Sequence, residues 1–546
     1  MKVKVGSRQL EVRQTLVDRV VSYFAPEKGL ARLKARTFLS LAGGYQGGRR
    51  DRRATRNWRP PDASANADML PDLPDLRARS RDLVRNAPIA TGAVATAVTN
   101  VVGEGLTVQS TVDGEVLGLD EAATKAWQRK AEREFALWCT VADFSAAQPF
   151  QEMQGLIFRS VLESGDLLVV RRWREDPGEA FGTKLQVVEA DRIRNRDRAP
   201  DSPGVVAGIK FDVDGVATGY QIASRHPDER AGAGVLAPLE WLDIPAWDPA
   251  TGRPLALHLL DRLRPDQARG VPWLAPVIEA LKTLADYAEA EVRAAVISAM
   301  FTAFVTTPAQ DGDDVPIIGT NDAAVVADPS KEIGLEDSGA IVELAPGQKI
   351  EVANPMRPNP VFDAFTMAVL RQIGVSLEIP VEVLIKHFAA SYSASRAALE
   401  MAWQFFRRRR TWLARRLCQP VYEWAIEEAV ARGRLEAPGF FDDPIKRQAW
   451  LRARWIGPAR ITLDPLKDAN AHKVLIPLGL ESRAEVIAER GGDPDAVHQQ
   501  LVAEERRRAA DGLPAASLPG QQPAKQPTEE PVDPPADAQD LEDEAS

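Results

Sequence analysis

The chain has 546 residues, with 68 Lys/Arg against 78 Asp/Glu and a formal charge of −10. Apolar residues make up 45% and charged residues 27%, an ordinary globular composition, and a single core stops growing at roughly 250–300 residues, so at least two domains are expected. Two cysteines, five scattered histidines and the lack of any apolar run near the roughly 20 residues of a membrane span exclude a disulfide scaffold, a four-thiolate zinc site and a membrane protein; the N-terminus has no signal-peptide core.

Residues 1–100 hold 19 Lys/Arg against 9 Asp/Glu. The densest part is Gly43-Gly44-Tyr45-Gln46-Gly47-Gly48-Arg49-Arg50-Asp51-Arg52-Arg53. Glycine leaves the backbone unrestricted, so residues 1–75 read as a flexible basic arm that ends in a Pro- and Asp-rich linker at 60–75. Two readings of the arm stay open: contact with nucleic acid or an acidic partner, and a solvated terminus. A segment over Leu76–Asn86 and a small-residue run over Ile89–Val102 follow. Gly103-Glu104-Gly105 then turns into a strand over Leu106–Ser110. A nucleotide loop is not expected there, because Val108 stands where the third glycine belongs and the glycines close a helix rather than open one.

Trp127, Ala131, Phe135 and Trp138 recur at three to four residues, which predicts an amphipathic helix over 121–138. Phe150–Glu163 is a second helix, stopped by Ser164-Gly165. Strands are expected over Leu167–Trp173, Lys184–Glu189, Val205–Phe211 and Gly219–Ala223, with a hairpin at Asp214-Gly215. Asp212-x-Asp214-Gly215 is similar to the start of a calcium loop, but the later ligand positions are missing and a turn is expected instead.

Pro272 and Pro276 open a helix that runs without Gly or Pro from Val277 to about Ala303, roughly 40 Å at 1.5 Å per residue. That length favours packing against copies of itself or within a bundle. Residues 304–360 carry three basic and ten acidic side chains and seven prolines. A helix over Val361–Leu377 leads back, so some 55 residues are inserted between two helices. A polar stretch near 379–392 precedes a helix from Ser393 to Cys418. Pro420 should kink it, and it should resume from Val421 to Arg432 and stop at Gly433. Consecutive arginines on a helix point around its axis, so Arg407–Arg410, Arg415 and Arg416 fit a solvated or inter-subunit ion-pair face better than a DNA-reading stripe. Small helices follow over Leu466–Leu478, after the capping box at Ser482–Glu485, and from Asp493-Pro494 to about Ala509. Residues 511–546 hold one Lys, nine Asp/Glu, seven Pro and no aromatic residue, the composition of a disordered acidic tail.

No GxSxG, Walker A or complete GxGxxG occurs. Asp313-Asp314 and Asp442-Asp443 read as surface-loop pairs. His258 lies in a strand-like run and reads as structural. Lys386-His387 alone is too little for acid–base chemistry. No catalytic residue, metal ligand or cofactor is expected, and the chain is not read as an enzyme.

Seven segments carry a family resemblance: Arg77-x-Arg79-Ser80-Arg81-Asp82-Leu83-Val84-Arg85-Asn86 with Val101-Val102-Gly103-x-Gly105-Leu106; Glu163-Ser164-Gly165-Asp166; Val188-Glu189-Ala190-Asp191-Arg192-Ile193; Arg264-Pro265-Asp266-Gln267-x-Arg269-Gly270-Val271-Pro272-Trp273; Ser391-Tyr392-Ser393-Ala394-Ser395-Arg396-Ala397-Ala398; Asp464-Pro465-x-Lys467; and Gly479-Leu480-x-Ser482-Arg483. In order and spacing over about 75–500 the chain resembles the lambda-like portal proteins of tailed bacteriophages. The resemblance implies an α+β portal fold of wing, stem, clip and crown, with long stem helices and strands in the wing and clip. Carried onto this chain it implies a wing at 76–272, stem helices at 273–303 and 361–378, a clip at 304–360 and a tunnel loop at 379–392. It further implies a kinked wing helix at 393–435 and a crown at 436–509, with 1–75 the basic arm and 510–546 the acidic tail.

The function implied is a ring of twelve copies at one capsid vertex, a passive channel through which double-stranded DNA is packaged and ejected without sequence preference. Implied partners are the terminase large subunit, head-completion or adaptor proteins, the major capsid protein and the scaffolding protein, with no membrane. The setting is the virion, and the host cytoplasm during assembly. Lys386, His387, Ser391, Tyr392 and Ser393 become candidate channel residues, and Asp311, Asp313 and Asp314 candidate docking residues that also weaken DNA adhesion. Two alternatives compete: a head scaffold or adaptor that forms no ring, and a metal-dependent DNA-processing enzyme built on clustered carboxylates such as Asp313-Asp314.

Overall fold

The computed structural model describes residues 2–5, 8–11, 21, 23–41, 53–229, 239–300, 304–306, 349–351, 362–389 and 391–514. The chain divides into two compact units, residues 1–68 and 69–546.

The first unit carries three elements within residues 1–75, the span expected as an arm. The alternation Lys2-Val3-Lys4-Val5 has the period of a strand, and β1 (Lys2–Val5) pairs antiparallel with β2 (Arg8–Glu11), Lys2 opposite Glu11. Pro26 opens a 16-residue helix, α1 (Pro26–Leu41), rich in Leu, Ala, Arg and Lys, which favour helix. Residues 43–52 of the Gly/Arg run lie outside the described residues. The linker at 60–75 is also shorter than expected. Ala65–Met69 forms α2, and α3 (Leu73–Asn86) begins inside the expected linker because Pro74 sits in its first turn, where a missing N–H costs no helical bond.

The second unit is built around helices whose apolar spacing matches 3.6 residues per turn. In α4 (Pro88–Val101) the buried face is Ala90, Ala93, Val94, Ala97 and Val101. Asp113 and Asp120 cap α5 (Gly114–Leu117) and α6 (Glu121–Cys139), the Asp120 carboxylate accepting from Ala123 N at 2.7 Å. The Phe135 ring of α6 stacks on Trp138 at 5.5 Å and meets Tyr422 edge-on at 5.2 Å. Helix α7 (Phe150–Ser164) ends where Gly165 adopts φ 89°.

Strand β4 (Asp166–Trp173) is the wall between two cores. It is central in a three-stranded antiparallel sheet, between β5 (Thr183–Glu189) and β10 (Ala256–Leu260). Successive strand side chains point to opposite faces. Leu167 and Val169 therefore enter the large helical core, while Leu168 and Val170 enter a smaller one with Ile209, Tyr220 and Ile222. The smaller core is roofed by the four-stranded sheet β6–β9. The single strand expected over Val205–Phe211 is two, β6 (Val205–Val206) and β7 (Ile209–Phe211), because Ala207 and Gly208, both at positive φ, form a tight turn. Strands β8 (Ala217–Ala223) and β9 (Trp241–Pro245) complete it. The Asp214-Gly215 hairpin is present; the Asp212 carboxylate accepts from Asp214 N and Val216 N, a turn motif rather than a calcium loop.

The two long helices are α8 (Ile278–Met300) and α9 (Phe362–Leu377), which meet through Tyr287 against Phe362 at 5.3 Å and Phe365 at 5.4 Å. Beyond them, β11 (Phe304–Thr306) pairs antiparallel with β12 (Lys349–Glu351), so the ends of the acidic insertion are brought together. A short helix, α10 (Val381–Leu384), leads to α11 (Tyr392–Leu413). The kink expected at Pro420 is a widened turn over Ala414–Cys418, followed by α12 (Gln419–Ala431). Proline supplies no N–H and its ring crowds the carbonyl one turn earlier, so the ladder opens there. Gly433, at φ 70°, ends the segment. Beyond come α13 (Pro444–Trp450), β13 (Ala453–Ile456), α14 (Pro465–Leu475), α15 (Arg483–Glu489) and α16 (Pro494–Ala510). Strand β13 pairs with β3 (Thr107–Ser110), a partnership no local pattern announces. Among the described residues no helix is long and apolar enough to cross a membrane.

Candidate functional site

The candidate loop begins from a buried anchor. Glu378 adopts φ 57°, reversing the chain after α9, and its carboxylate accepts from Arg408 at 2.7 Å. Ile379 N then donates to Gly374 O at 3.0 Å, and a Cβ on Gly374 would crowd the Ile379 carbonyl. Ile379, Val383 and Leu384 are buried in the large core. So 379–384, expected as loop, is a packed helical step, because its apolar residues fill core space. The exposed part is shorter. Lys386 takes φ 56° and His387 N donates to Glu382 O at 3.0 Å, which closes α10 with a left-handed turn. Lys386, His387, Phe388 and Ala389 are exposed.

Ser391 caps α11, its hydroxyl accepting from Ala394 N at 3.4 Å, which places Tyr392 and Ser393 in the first turn, also exposed. Lys467 lies 4.6 Å from the Tyr392 ring centroid, and Arg396 pairs with Asp468 at 3.4 Å. The loop's far end is thus tied to α14. The structure therefore brings Lys386, His387, Ser391, Tyr392 and Ser393 together on one exposed connection. Asp311, Asp313 and Asp314 lie outside the described residues.

Residues from four separated sequence motifs meet elsewhere, in a buried polar cluster around Asp166. Its carboxylate accepts from Arg77 Nη2 at 2.6 Å, Arg269 Nε at 2.7 Å and Nη2 at 3.1 Å, Gly270 N at 2.9 Å and His258 Nε2 at 3.1 Å. The acceptor is a carboxylate, so the His258 ring carries its proton on Nε2. Burial is the largest influence on the Asp166 carboxyl and pushes it up, but Arg269, Arg77 and the His258 bond together hold it well below the usual range. Burial lowers Arg77 to about 10 and His258 below its ordinary value, so the arginine stays charged and the imidazole neutral at pH 7. Arg77 Nε also donates to Ser164 O at 2.8 Å, and Arg269 Nη2 to Ala190 O at 2.7 Å. A Cβ on Gly165 would collide with the Gly270 backbone, so both glycines are needed for the two segments to touch.

At the rim, Arg81 bonds Ser164 Oγ at 2.9 Å and pairs with Glu189 at 3.2 Å and with Asp191. His226 approaches Asp191 at 3.6 Å. The Glu189, Asp191 and His226 group has the donors of a metal site. The guanidinium of Arg81 meets that carboxylate charge directly. The cluster was missed as a site because its members lie in separate motifs; the signal was the density of Arg and Asp in motifs at 77–82, 163–166, 188–193 and 264–270.

The arginines of α11 divide as helical geometry requires. Arg408 faces Glu378, and Arg409 pairs with Asp261. Arg410 donates to Asn100 O and Pro458 O at 2.9 Å and lies 4.9 Å from the Trp403 ring. They serve the subunit's own packing, while Arg407, Arg415 and Arg416 are exposed.

The model of the lambda-family phage portal protein matches residues 51–410, which include the Asp166 cluster and the exposed loop. The chain belongs to this family. It is 28% identical over 497 residues to portal protein B of Escherichia phage lambda, covering 86% of this chain and 91% of that relative. It is 28% identical over 482 residues to the portal protein of Escherichia phage N15, covering 84% and 89%. Among solved structures, a chain of the virion of a native gene transfer agent particle is similar at TM-score 0.40 and 14% identity, covering 82% of this chain and 94% of that one. A lambda-family portal chain is a structural component of the virion rather than an enzyme.

Proposed function

We propose that copies of this portal chain close into a ring, of twelve subunits by the family resemblance, at one capsid vertex. Double-stranded DNA passes through its opening during packaging and ejection. The observation that carries the ring is an apolar surface that one subunit leaves uncovered on the paired long helices. Val292 is 64% exposed, Val296 53%, Phe365 51% and Val375 82%. Exposed apolar side chains along neighbouring helices mark an association surface. Copies meeting head to tail around a closed rotation bury such a surface and leave a hole.

In this reading α8 and α9 are the stem, 76–272 the wing, the exposed part of 379–392 from Lys386 onward the tunnel loop, and 436–509 the crown. The acidic segment 304–360 is the clip, on which the terminase large subunit docks and is later replaced by head-completion proteins. The capsid and scaffolding proteins meet the ring's outside. Lys386 and His387 offer brief phosphate contacts, few enough that DNA slides. Asp311, Asp313 and Asp314 repel the backbone at the exit.

Native mass spectrometry with negative-stain imaging tests the ring. Annular particles are expected, and Val292→Asp with Val296→Asp should leave folded monomers. A wild-type monomer or dimer under all conditions rejects the ring and leaves the scaffold or adaptor reading. Cross-linking from Lys386 to packaged DNA tests the loop; an intact ring that gives none places Lys386 away from the lumen.

A further inference from the structure

A second surface stands apart from the stem and the loop. Where the α11–α12 segment widens, a groove of about 890 Å³ opens between that segment, α13 and β13. Its walls carry Arg410, Arg415, Arg447, Arg452 and Arg454, against the single carboxylate of Glu423. Some of this charge is met within the fold. Arg447 pairs with Glu427 at 3.2 Å and Arg452 with Asp113 at 2.6 Å. Arg410 spends its donors on backbone carbonyls and stays charged, burial lowering it only to about 10. Arg415 is exposed and makes no ion pair among the described residues. A neighbouring cavity of about 880 Å³ shares Thr411 and Arg415 and adds Arg407 and Arg416, along with Arg408, which Glu378 already pairs, so the cationic track continues along the helix.

We propose that the chain's own acidic C-terminal segment, residues 529–544, docks in this arginine groove. Three observations select it. The first is charge: Glu529 to Glu544 contain eight carboxylates and no basic residue. Paired guanidinium–carboxylate bonds are the strongest polar contacts available at such a surface. The second is reach. Helix α16 starts beside the groove wall, because Asp495 accepts from Gln109 at 3.5 Å, and Gln109 sits opposite Arg454 in the β3–β13 pair. The helix runs 17 residues, about 25 Å, and the 32 residues after Pro514 extend up to about 105 Å, ample to return. The third is tethering. A segment on the same chain meets its site at an effective concentration of about millimolar, which a free polyanion must exceed to displace it. The docked segment covers this cationic groove and keeps other polyanions from it. This inference does not depend on the ring.

The test uses the full-length chain. Cys139 and Cys418 are buried, so dyes can be placed on Gln448→Cys at the groove and Gln539→Cys in the tail. Energy transfer should be high at about 0.1 M salt and fall about twofold or more at about 1 M, as the screening length drops from about 10 Å to about 3 Å. The same fall is expected at low salt for Arg415→Glu with Arg454→Glu, two exposed positions whose reversal leaves the fold intact by circular dichroism. Transfer that ignores both salt and charge reversal overturns the proposal. Loss of transfer on dilution with unlabelled chain also overturns it, assigning the groove to a neighbouring copy's tail. A third overturning result is low transfer at 0.1 M salt while a short DNA duplex protects Arg415 from arginine-specific modification, which makes nucleic acid the occupant.

Discussion

The Asp166 cluster and the loop at 386–393 are the two polar regions richest in family motifs or candidate residues, and they are held in opposite ways. Asp166 takes five hydrogen bonds from α3, β10 and the 269–270 segment, with no solvent exposure. Lys386 and His387 are exposed, and a backbone bond from His387 N to Glu382 O holds the turn between them and α10. The first region is a rivet that joins α3 to the sheet separating the two cores. The second is a short exposed connection with firm ends. Charged residues in dense motifs thus went into the frame, while the residues proposed to meet DNA are the least restrained.

That contrast predicts a graded series. Asp166→Ala should cost about 3–5 kcal/mol, because it leaves Arg77 and Arg269 buried without their anion. Lys386→Ala should stay within about 0.5 kcal/mol. Denaturant midpoints for both variants check the comparison, and equal shifts would break it. Gly165→Ala should cost about 1–3 kcal/mol from positive φ alone, and more from its collision with Gly270.

A pH series probes a third, intermediate place. Burial raises the Glu132 carboxyl to about 7, although Ser110 N donates to it at 2.8 Å. A carboxyl raised in the fold contributes stability in full below its unfolded value of about 4.5 and loses it as pH rises through about 7. Glu132→Gln should therefore gain stability relative to wild type between pH 5 and 8, read as a growing difference in Tm. A small effect belongs to the loop's far end. Tyr392→Phe keeps the ring over Lys467 and should change nothing, whereas Tyr392→Ala should cost about 0.5–1 kcal/mol.

Much of this molecule follows from local pattern. Trp127, Ala131, Phe135 and Trp138 place α6 within a residue of its observed end, since a 3.6-residue period leaves no other way to bury them together. The Ser482–Glu485 capping box is observed with both of its bonds, because it joins residues three apart. Proline and glycine located the long helices, the kink and the stop at Gly433. Other features needed partners distant in sequence. No periodicity near 453–456 says that these residues pair with Thr107–Ser110, since a strand edge is satisfied by any partner the tertiary fold delivers. Ile379, Val383 and Leu384 read as loop because the core they fill is assembled by α4, α9 and α11. Asp166 is one acid among 78 in the sequence; it becomes a buried hub only where two glycines let β4 touch the 269–270 segment and the low dielectric makes every unpaired charge costly.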